Sequence, residues 1–524
     1  MKGVWQRFSA PVSGSFLRFE PYFFYGLLLL NLIPVFAVDV FYTGDGPAHL
    51  YNANIITQFI LNESSPVGEF FELRNELIPN LGGHLLLTLF NILFPAVFAE
   101  KLVFALALLS LPLGFRYLVS QDQPSNSWLS YWSFLLAHNF CLYIGFQSFC
   151  LGLGAMFFGV AFFIRASMKN NASSWIIFGS VFFVTAIFHL FAAVVAGMLI
   201  ASYYLFDTIQ RRQLNLKILA AAIAVSIPTI ALCGNYILSH SQGITIAPES
   251  FSQMAQGILH GVPLTTHDSA ERPISYTFNI ILLAGMILVS VHRFPNGFKF
   301  HRNDYALITS LLLFVLYFIL PDKMATGGFV SMRLLLCAYI TLALWCSLQI
   351  PPNRLALILM TALIALNATV IYYHGKHGQN LSDDAMLVME AAEHIPAGST
   401  VVPLNYTPHW LQYNIGLYLG VERDLVVLEN YEASTNHFPV KWREGEFPGD
   451  LLGNFTTSKR PLFQIEPYEK QTGRRVDAVV RWDYQDHFND SSTIKTNALL
   501  NRHFSLTYSS DSEKIQVFLR KPRE

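Results

Sequence analysis

The chain has 524 residues, 53% hydrophobic and 13% charged, about half the charged fraction usual for a soluble domain. Its formal net charge is −1 with no long run of one sign, which excludes nucleic acid and other polyelectrolytes as partners. The charge is unevenly placed: residues 374–524 carry 16 Lys/Arg and 20 Asp/Glu, while the first 373 residues carry 33 charged groups in all. Lipid suits the first composition and water the second, so an ordinary cytosolic enzyme is excluded.

In chain order, Lys2, Arg7 and Arg18 precede an apolar stretch at 22–38 with no small-residue cleavage site after it, which reads as an uncleaved first membrane helix. Further spanning segments follow at about 81–98, 99–119, 128–144, 148–164, 174–188, 190–206, 218–238, 276–292, 304–320, 330–349 and 355–373. Basic residues of short loops stay cytoplasmic, which puts the N-terminus, Arg165 to Lys169, Arg211-Arg212 with Lys217, and Arg293 to Arg302 inside. Residues 39–80, 239–275, 321–329 and 374–524 then lie outside. Twelve crossings would leave both termini on one side, whereas the basic loops put them on opposite sides. Eleven or thirteen crossings are therefore expected, with the miscount between 81 and 165. No internal repeat is visible, which argues against an inverted-repeat carrier.

His374 to Asn380, with Gly375 and Gly378, reads as a short polar linker. Beyond it, 381–395 reads as a helix, and Thr400–Leu404, Leu425–Leu428, Ala478–Val480 and Ile515–Leu519 as strands of a small α/β domain. All five cysteines (Cys141, Cys150, Cys233, Cys337, Cys346) lie in apolar segments, so neither a disulfide framework nor a Cys-x-x-Cys metal site is expected in the polar tail. The expected architecture is a polytopic α-helical membrane domain, 1–373, with 39–80 as its first outward loop. A C-terminal extracytoplasmic α/β domain, 374–524, completes it.

Ionisable groups at the membrane face are the informative residues, because burying them is costly unless they pair or work. The first concentration is Asp39 to Asn52, which contains Asp45, His49 and Tyr51. Pro47 suits a first helical turn with Asp45 or Gly46 as its cap, so 47–61 is expected to be helical. Its stripe Leu50, Ile55, Ile56, Phe59 and Ile60 suits the membrane surface. Asp45 and His49, four apart, can face one volume. Asp45 either caps this helix with His49 balancing its charge, or the acidic pair Asp39 and Asp45 is functional.

A first membrane helix, an outward loop opening with acidic residues and an interfacial helix, many crossings and an outward C-terminal domain together resemble the GT-C superfamily of membrane glycosyltransferases. Protein O-mannosyltransferases, the lipid A aminoarabinose transferase and the catalytic subunit of oligosaccharyltransferase belong to it. The resemblance implies a polyprenyl-phosphate sugar donor, a glycan, lipid or protein acceptor, and a first-loop acid that activates or positions the acceptor. That role falls on Asp45, with Asp39 second and His49 beside them. Where several members carry Asp-Glu, this chain has Asp45-Gly46.

The remaining polar residues fill out the picture. His84, after Pro79-Asn80-Leu-Gly-Gly, opens an outer-side crossing and suits a sugar or acceptor hydroxyl, or is structural. Asn139 and Gln147-Ser148 flank a break at Tyr143-Ile-Gly145 that faces outward. This loop lacks the acidic pair that builds the metal site of oligosaccharyltransferase, so no divalent metal or other cofactor is supported. His189 lies between two apolar runs near the outer face, as a substrate contact or a hydrogen-bonded structural histidine. Arg333, one turn into the helix after Lys323 and Gly327-Gly328, suits a lipid phosphate with Lys323 as helper; pairing with Asp322 or snorkelling are the alternatives.

His240, His260, His267, Asp268, Glu271 and Arg272 in 239–275 match no zinc spacing and read as a flexible loop over the site. Asn405 to Trp410, Asn430 to Ala433 and Phe438 to Trp442 are acceptor-face candidates. The expected function is an inverting transfer at the outer face of a bacterial inner membrane, with Asp45 as general base. A transporter or flippase of lipid-linked saccharides and a non-catalytic assembly subunit are the alternatives.

Overall fold

The computed structural model describes residues 14–61, 65–239, 249–294, 300–323, 327–351, 353–443, 448–453, 461–485 and 490–522. Lys2, Arg7 and His240 lie outside the described residues, as does part of the turn expected at 321–329.

The apolar segments, three of which carry a proline inside (Pro21, Pro112 and Pro228), form helices because each runs for several apolar turns whose backbone groups must be paired within the segment. They are α1 (Gly14–Leu30), α3 (Gly82–Leu93), α4 (Ala96–Asp122), α5 (Gln147–Lys169), α6 (Ala172–Phe188), α7 (Leu190–Arg211), α8 (Leu216–Ser239), α10 (Arg272–Arg293), α11 (Tyr305–Ile319), α12 (Val330–Gln349) and α13 (Arg354–Ala392). Between them come α2 (Gly46–Leu61) and α9 (Phe251–His260). Among the described residues nine helical segments are long and apolar enough to cross a membrane, while α3 and α6 are shorter apolar helices. The chain is an integral membrane protein of polytopic helical class with a C-terminal sheet.

Of the twelve expected segments, 128–144 is not one helix: it breaks into a 3-10 stretch, Pro124–Tyr131, and the short turns Trp132–Ala137 and Phe140–Tyr143. The break comes at Asn139, whose side-chain oxygen accepts from Leu142 N–H at 3.1 Å and restarts the chain as a new helix. Eleven apolar helices remain among the described residues, and the segment that is not one helix lies between 81 and 165. The linker expected at 374–380 is absent, because α13 runs unbroken through Gly375 and Gly378. With no neighbour there demanding a turn, two glycines weaken a helix without ending it.

Contacts divide the chain into two compact units, residues 1–34, 77–83 and 104–375 in the first and 35–76, 84–103 and 376–524 in the second. In the first, α5 packs on α6 and α7, and α11 packs on α7 and α12. Gly154 lets α5 close on α4: a Cβ there would lie 2.5 Å from Ser110 Cβ, the small-residue packing typical of membrane helices. Ion pairs with a buried carboxylate lie in this unit, Glu20 with Arg116 at 2.7 Å, Asp304 with Arg293 at 2.5 Å and Asp122 with Arg302 at 2.8 Å.

In the second unit a five-stranded sheet has the order β3-β2-β5-β7-β6. Its strands are β2 (Thr400–Asn405), β3 (Val426–Val427), β5 (Ala478–Trp482), β6 (Phe504–Ser509) and β7 (Ile515–Arg520). Pairing is parallel for β2 with β3 and β5, and antiparallel for β7 with β5 and β6. All six residues of β2 are buried, which is why it reads as an unbroken apolar run. The loop following α1 folds in this same unit: β1 (Phe71–Leu73) pairs antiparallel with β4 (Val440–Trp442), Phe71 opposite Trp442. Helix α2 packs against the 3-10 segment Trp410–Gly420, and nearly all of its first three turns is buried. Of the expected surface stripe, Leu50 and Ile55 are fully buried, Ile56 and Phe59 half-buried and Ile60 exposed.

Candidate active site

The first loop reaches its site through the start of α2. The backbone carbonyl of Asp45 accepts from His49 N–H at 3.0 Å, which closes the first helical turn and fixes Asp45 at its head. The Asp45 side chain is half-buried and accepts from Asn414 Nδ2 at 2.9 Å; Asn414 also donates to Gly44 O at 3.1 Å. Tyr431 is a second hydrogen-bond partner of Asp45, and its phenol is held above its ordinary range by burial and then by the Asp45 charge.

Gly46 makes room for a second acid. A Cβ at this position would lie 2.5 Å from Glu100 Oε1 and 2.5 Å from Thr43 Oγ1. The Glu100 carboxylate therefore stands where a side chain at position 46 would begin, and its other oxygen accepts from Tyr418 OH at 3.0 Å. Glu100 is fully buried. A charged residue inside an apolar segment was the sequence signal for it. Asp39, by contrast, is exposed, in the electrostatic neighbourhood of Lys101.

One turn on from Asp45, His49 meets two residues distant in sequence. His49 Nδ1 lies 2.5 Å from Glu432 Oε1, and His84 Nε2 lies 3.2 Å from Glu432 Oε2. All three side chains are buried, the imidazoles sit edge to face at 4.9 Å, and Phe438 covers both rings. Asn52 Nδ2 donates to Glu432 Oε2 at 2.8 Å and exchanges amide hydrogen bonds with Asn430. Burial alone would raise the Glu432 carboxyl, but the His49 charge and the hydrogen bonds of both histidines outweigh it and hold it below its ordinary value.

Nearby in sequence, Glu429 is also buried, and neither of its oxygens has a hydrogen-bond partner among the described residues. Burial raises its carboxyl well above the usual range, which favours the neutral form.

The first unit holds the other expected residues. Arg333 is half-buried in the first turn of α12, its guanidinium 4.4 Å from the ring centre of Phe146 and 5.8 Å from that of Phe149. Asp322 accepts from Ser331 N–H at 3.0 Å and from the Ser331 hydroxyl. Lys323 is half-buried at the edge of the described loop. His189 caps α7, its Nδ1 accepting from Phe191 N–H at 3.1 Å, and packs on Phe149.

Asn139 is fully engaged with backbone, donating to Leu136 O and Ala137 O as well as capping its turn. Gln147 differs: its amide is buried with neither atom partnered by the described residues, as a group awaiting a ligand would be.

Residues 251–272, expected to be a flexible loop, contain α9 and a buried knot. Glu271 accepts from His267 N–H at 2.9 Å, from Thr266 N–H at 2.5 Å and from the Thr266 hydroxyl at 2.9 Å. Thr266 Oγ1 also lies 3.1 Å from His374 Nε2, and His374 Nδ1 lies 2.7 Å from Tyr143 OH. Two groups can thus hold a metal ion by proximity of ligand atoms, His49 with His84 and Glu432, and His267 with Glu271 and His374. Neither has a spacing motif, since each draws on stretches far apart in sequence.

No protein-family profile matches the chain, and no curated protein matches it in sequence. Solved structures do. ArnT from Cupriavidus metallidurans in the apo state, a GT-C glycosyltransferase, superposes with a TM-score of 0.55 at 11% identity, over 96% of this chain and 99% of that one. The chain has the GT-C fold. The same ArnT bound to undecaprenyl phosphate gives a TM-score of 0.51 at 12% identity, again over 96% of this chain and 99% of that one. At such identities the likeness of this GT-C chain to ArnT is one of fold.

Proposed function

We propose that the chain is a membrane glycosyltransferase that transfers a sugar from a polyprenyl-phosphate donor to an acceptor hydroxyl, with inversion and with Asp45 as general base. The carrying observation is Asp45 itself: a half-buried carboxylate held by Asn414 and Tyr431 at the head of α2, with the Glu100 carboxylate against Gly46. The GT-C fold, and the undecaprenyl phosphate named for the ArnT structure, support the donor class.

In the proposed step the acceptor oxygen forms a bond to the anomeric carbon as its proton passes to Asp45. The bond from that carbon to the donor phosphate oxygen breaks, and polyprenyl phosphate leaves as an anion. Arg333, whose guanidinium is planar and whose flanking rings exclude water, is assigned to that phosphate, with Lys323 as helper. Gln147, with its unpartnered buried amide, is assigned to a substrate hydroxyl. Transfer is assigned to the outer face of a bacterial inner membrane, with the N-terminus cytoplasmic and residues 374–524 periplasmic.

The test is turnover of a panel of labelled polyprenyl-phosphate sugars by the full chain in lipid nanodiscs with cell-envelope extract as acceptor, wild type against Asp45→Asn. Removal of a general base lowers turnover by about 10²- to 10⁴-fold. Wild-type turnover of a donor with that loss supports the reading. Consumption of no donor, or full turnover by the variant, overturns it.

A further inference from the structure

We infer that His49, His84 and Glu432 bind a divalent transition-metal ion, zinc by the character of the donor set. The three ligand atoms lie within 4.8 Å of one another in a fully buried site. Two imidazole nitrogens and one carboxylate are the ligand set of catalytic zinc sites, which leave a fourth position for water or a substrate oxygen. Magnesium and calcium prefer all-oxygen surroundings and are disfavoured here.

Burial makes the case stronger than proximity does. Glu432 is fully buried and its Oε1 faces His49 Nδ1 at 2.5 Å, while His84 Nδ1 has no hydrogen-bond partner among the described residues. A carboxylate taken this far out of water needs a positive partner, and a divalent cation held between the carboxylate and the two imidazoles would take the place that the His49 proton fills without it. The surroundings are those of a metal site as well: Asn52 donates to the distal carboxylate oxygen and is itself held by Asn430, as outer-shell partners hold a ligand in orientation.

The second His/Glu group of the molecule makes the contrast. Glu271 already accepts two backbone N–H groups and the Thr266 hydroxyl, which satisfies its carboxylate without an ion. The first group joins the start of α2, the start of α3 and the turn bearing Tyr431. An ion there ties together the two elements that hold Asp45, since His49 follows it by one turn and Tyr431 precedes Glu432.

The experiment is elemental analysis of the full chain purified in detergent from zinc-supplemented cells, followed by chelator competition and Co(II) substitution. About one zinc per chain is expected, with Glu432→Gln and His84→Ala falling to about a tenth or less and His503→Ala, at a half-buried histidine at the end of the helix Ser491–His503, unchanged. Asn52→Leu keeps all three ligands and should weaken zinc about tenfold to a hundredfold in chelator competition. Wild type without stoichiometric zinc and without a Co(II) ligand-field absorption band overturns the inference, and needs no variant to fold. Full zinc in Glu432→Gln and His84→Ala also overturns it. The readout is metal content, so failure here leaves the proposed glycosyl transfer standing, and the reverse also holds.

Discussion

Replacing Gly46 by alanine puts a methyl group in place of one hydrogen, yet the structure leaves no space for it. The new Cβ would meet Glu100 Oε1 and Thr43 Oγ1, each at 2.5 Å, where an unstrained contact needs about 3.5 Å. Thr43 is fully buried and can retreat only by leaving its rotamer, at about 0.5–1.5 kcal/mol. Glu100 can retreat only by lengthening its hydrogen bond with Tyr418, which leaves a buried polar group short of its partner at a cost of about 1–3 kcal/mol.

The expected destabilisation of Gly46→Ala is therefore about 2–4 kcal/mol. Because Asp45 is the preceding residue, a shift of about 1 Å at the head of α2 should also lower any transfer activity about 100-fold. The assay is thermal melting in detergent beside two controls, Gly197→Ala in α7 and Gly234→Ala in α8, where a Cβ meets nothing within 4 Å. Those helical positions should gain about 0.5–1 kcal/mol from the same substitution. A double variant, Gly46→Ala with Glu100→Ala, should cost less than the sum of its parts, since the second change removes the obstacle. If Gly46→Ala melts with the two controls, the placement of Glu100 against position 46 is wrong.

Other expectations follow from single residues. Arg333→Lys keeps the charge but loses the planar fork and the stacking on Phe146, so donor KM should rise about tenfold with a smaller change in kcat, measured by donor titration. Glu429 is neutral in the folded protein and ionises in the unfolded chain above its ordinary value of 4.5, so it destabilises increasingly as pH rises above that value. Glu429→Gln should raise the melting temperature at pH 7 and leave it nearly unchanged at pH 4; an equal gain at both would refute the neutral carboxyl. Glu271→Ala strips partners from two backbone N–H groups and a hydroxyl, and should destabilise by about 3 kcal/mol or more in the same melting assay. Asp39→Asn, at an exposed carboxylate, should alter turnover less than about twofold in parallel with the large loss at Asp45, and an equal loss would exchange their roles.

Composition and apolar run length determined what local physics can determine. Twenty apolar residues need lipid whatever their neighbours do, so the membrane helices, the polar C-terminal domain and the acidic head of α2 were legible as patterns. The fully buried strand β2 was legible for the same reason. The edge strand β6, with an exposed Leu506 and alternating polar residues, was not. Nor was the break at Asn139, which rests on one side chain restarting a turn, nor the continuity of α13 through two glycines that favour a bend only where the surroundings demand one.

The tertiary structure alone decided the composition of the site. Glu100 carries no motif, and its relation to Gly46 exists only because α4 starts beside α2 within one unit. Residues 49, 84 and 432 share no spacing, so nothing short of folding brings two imidazoles onto one carboxylate. Sequence spacing reports contacts within one turn or one hairpin; a site assembled from three distant stretches is fixed by packing, and becomes visible when the chain closes on itself.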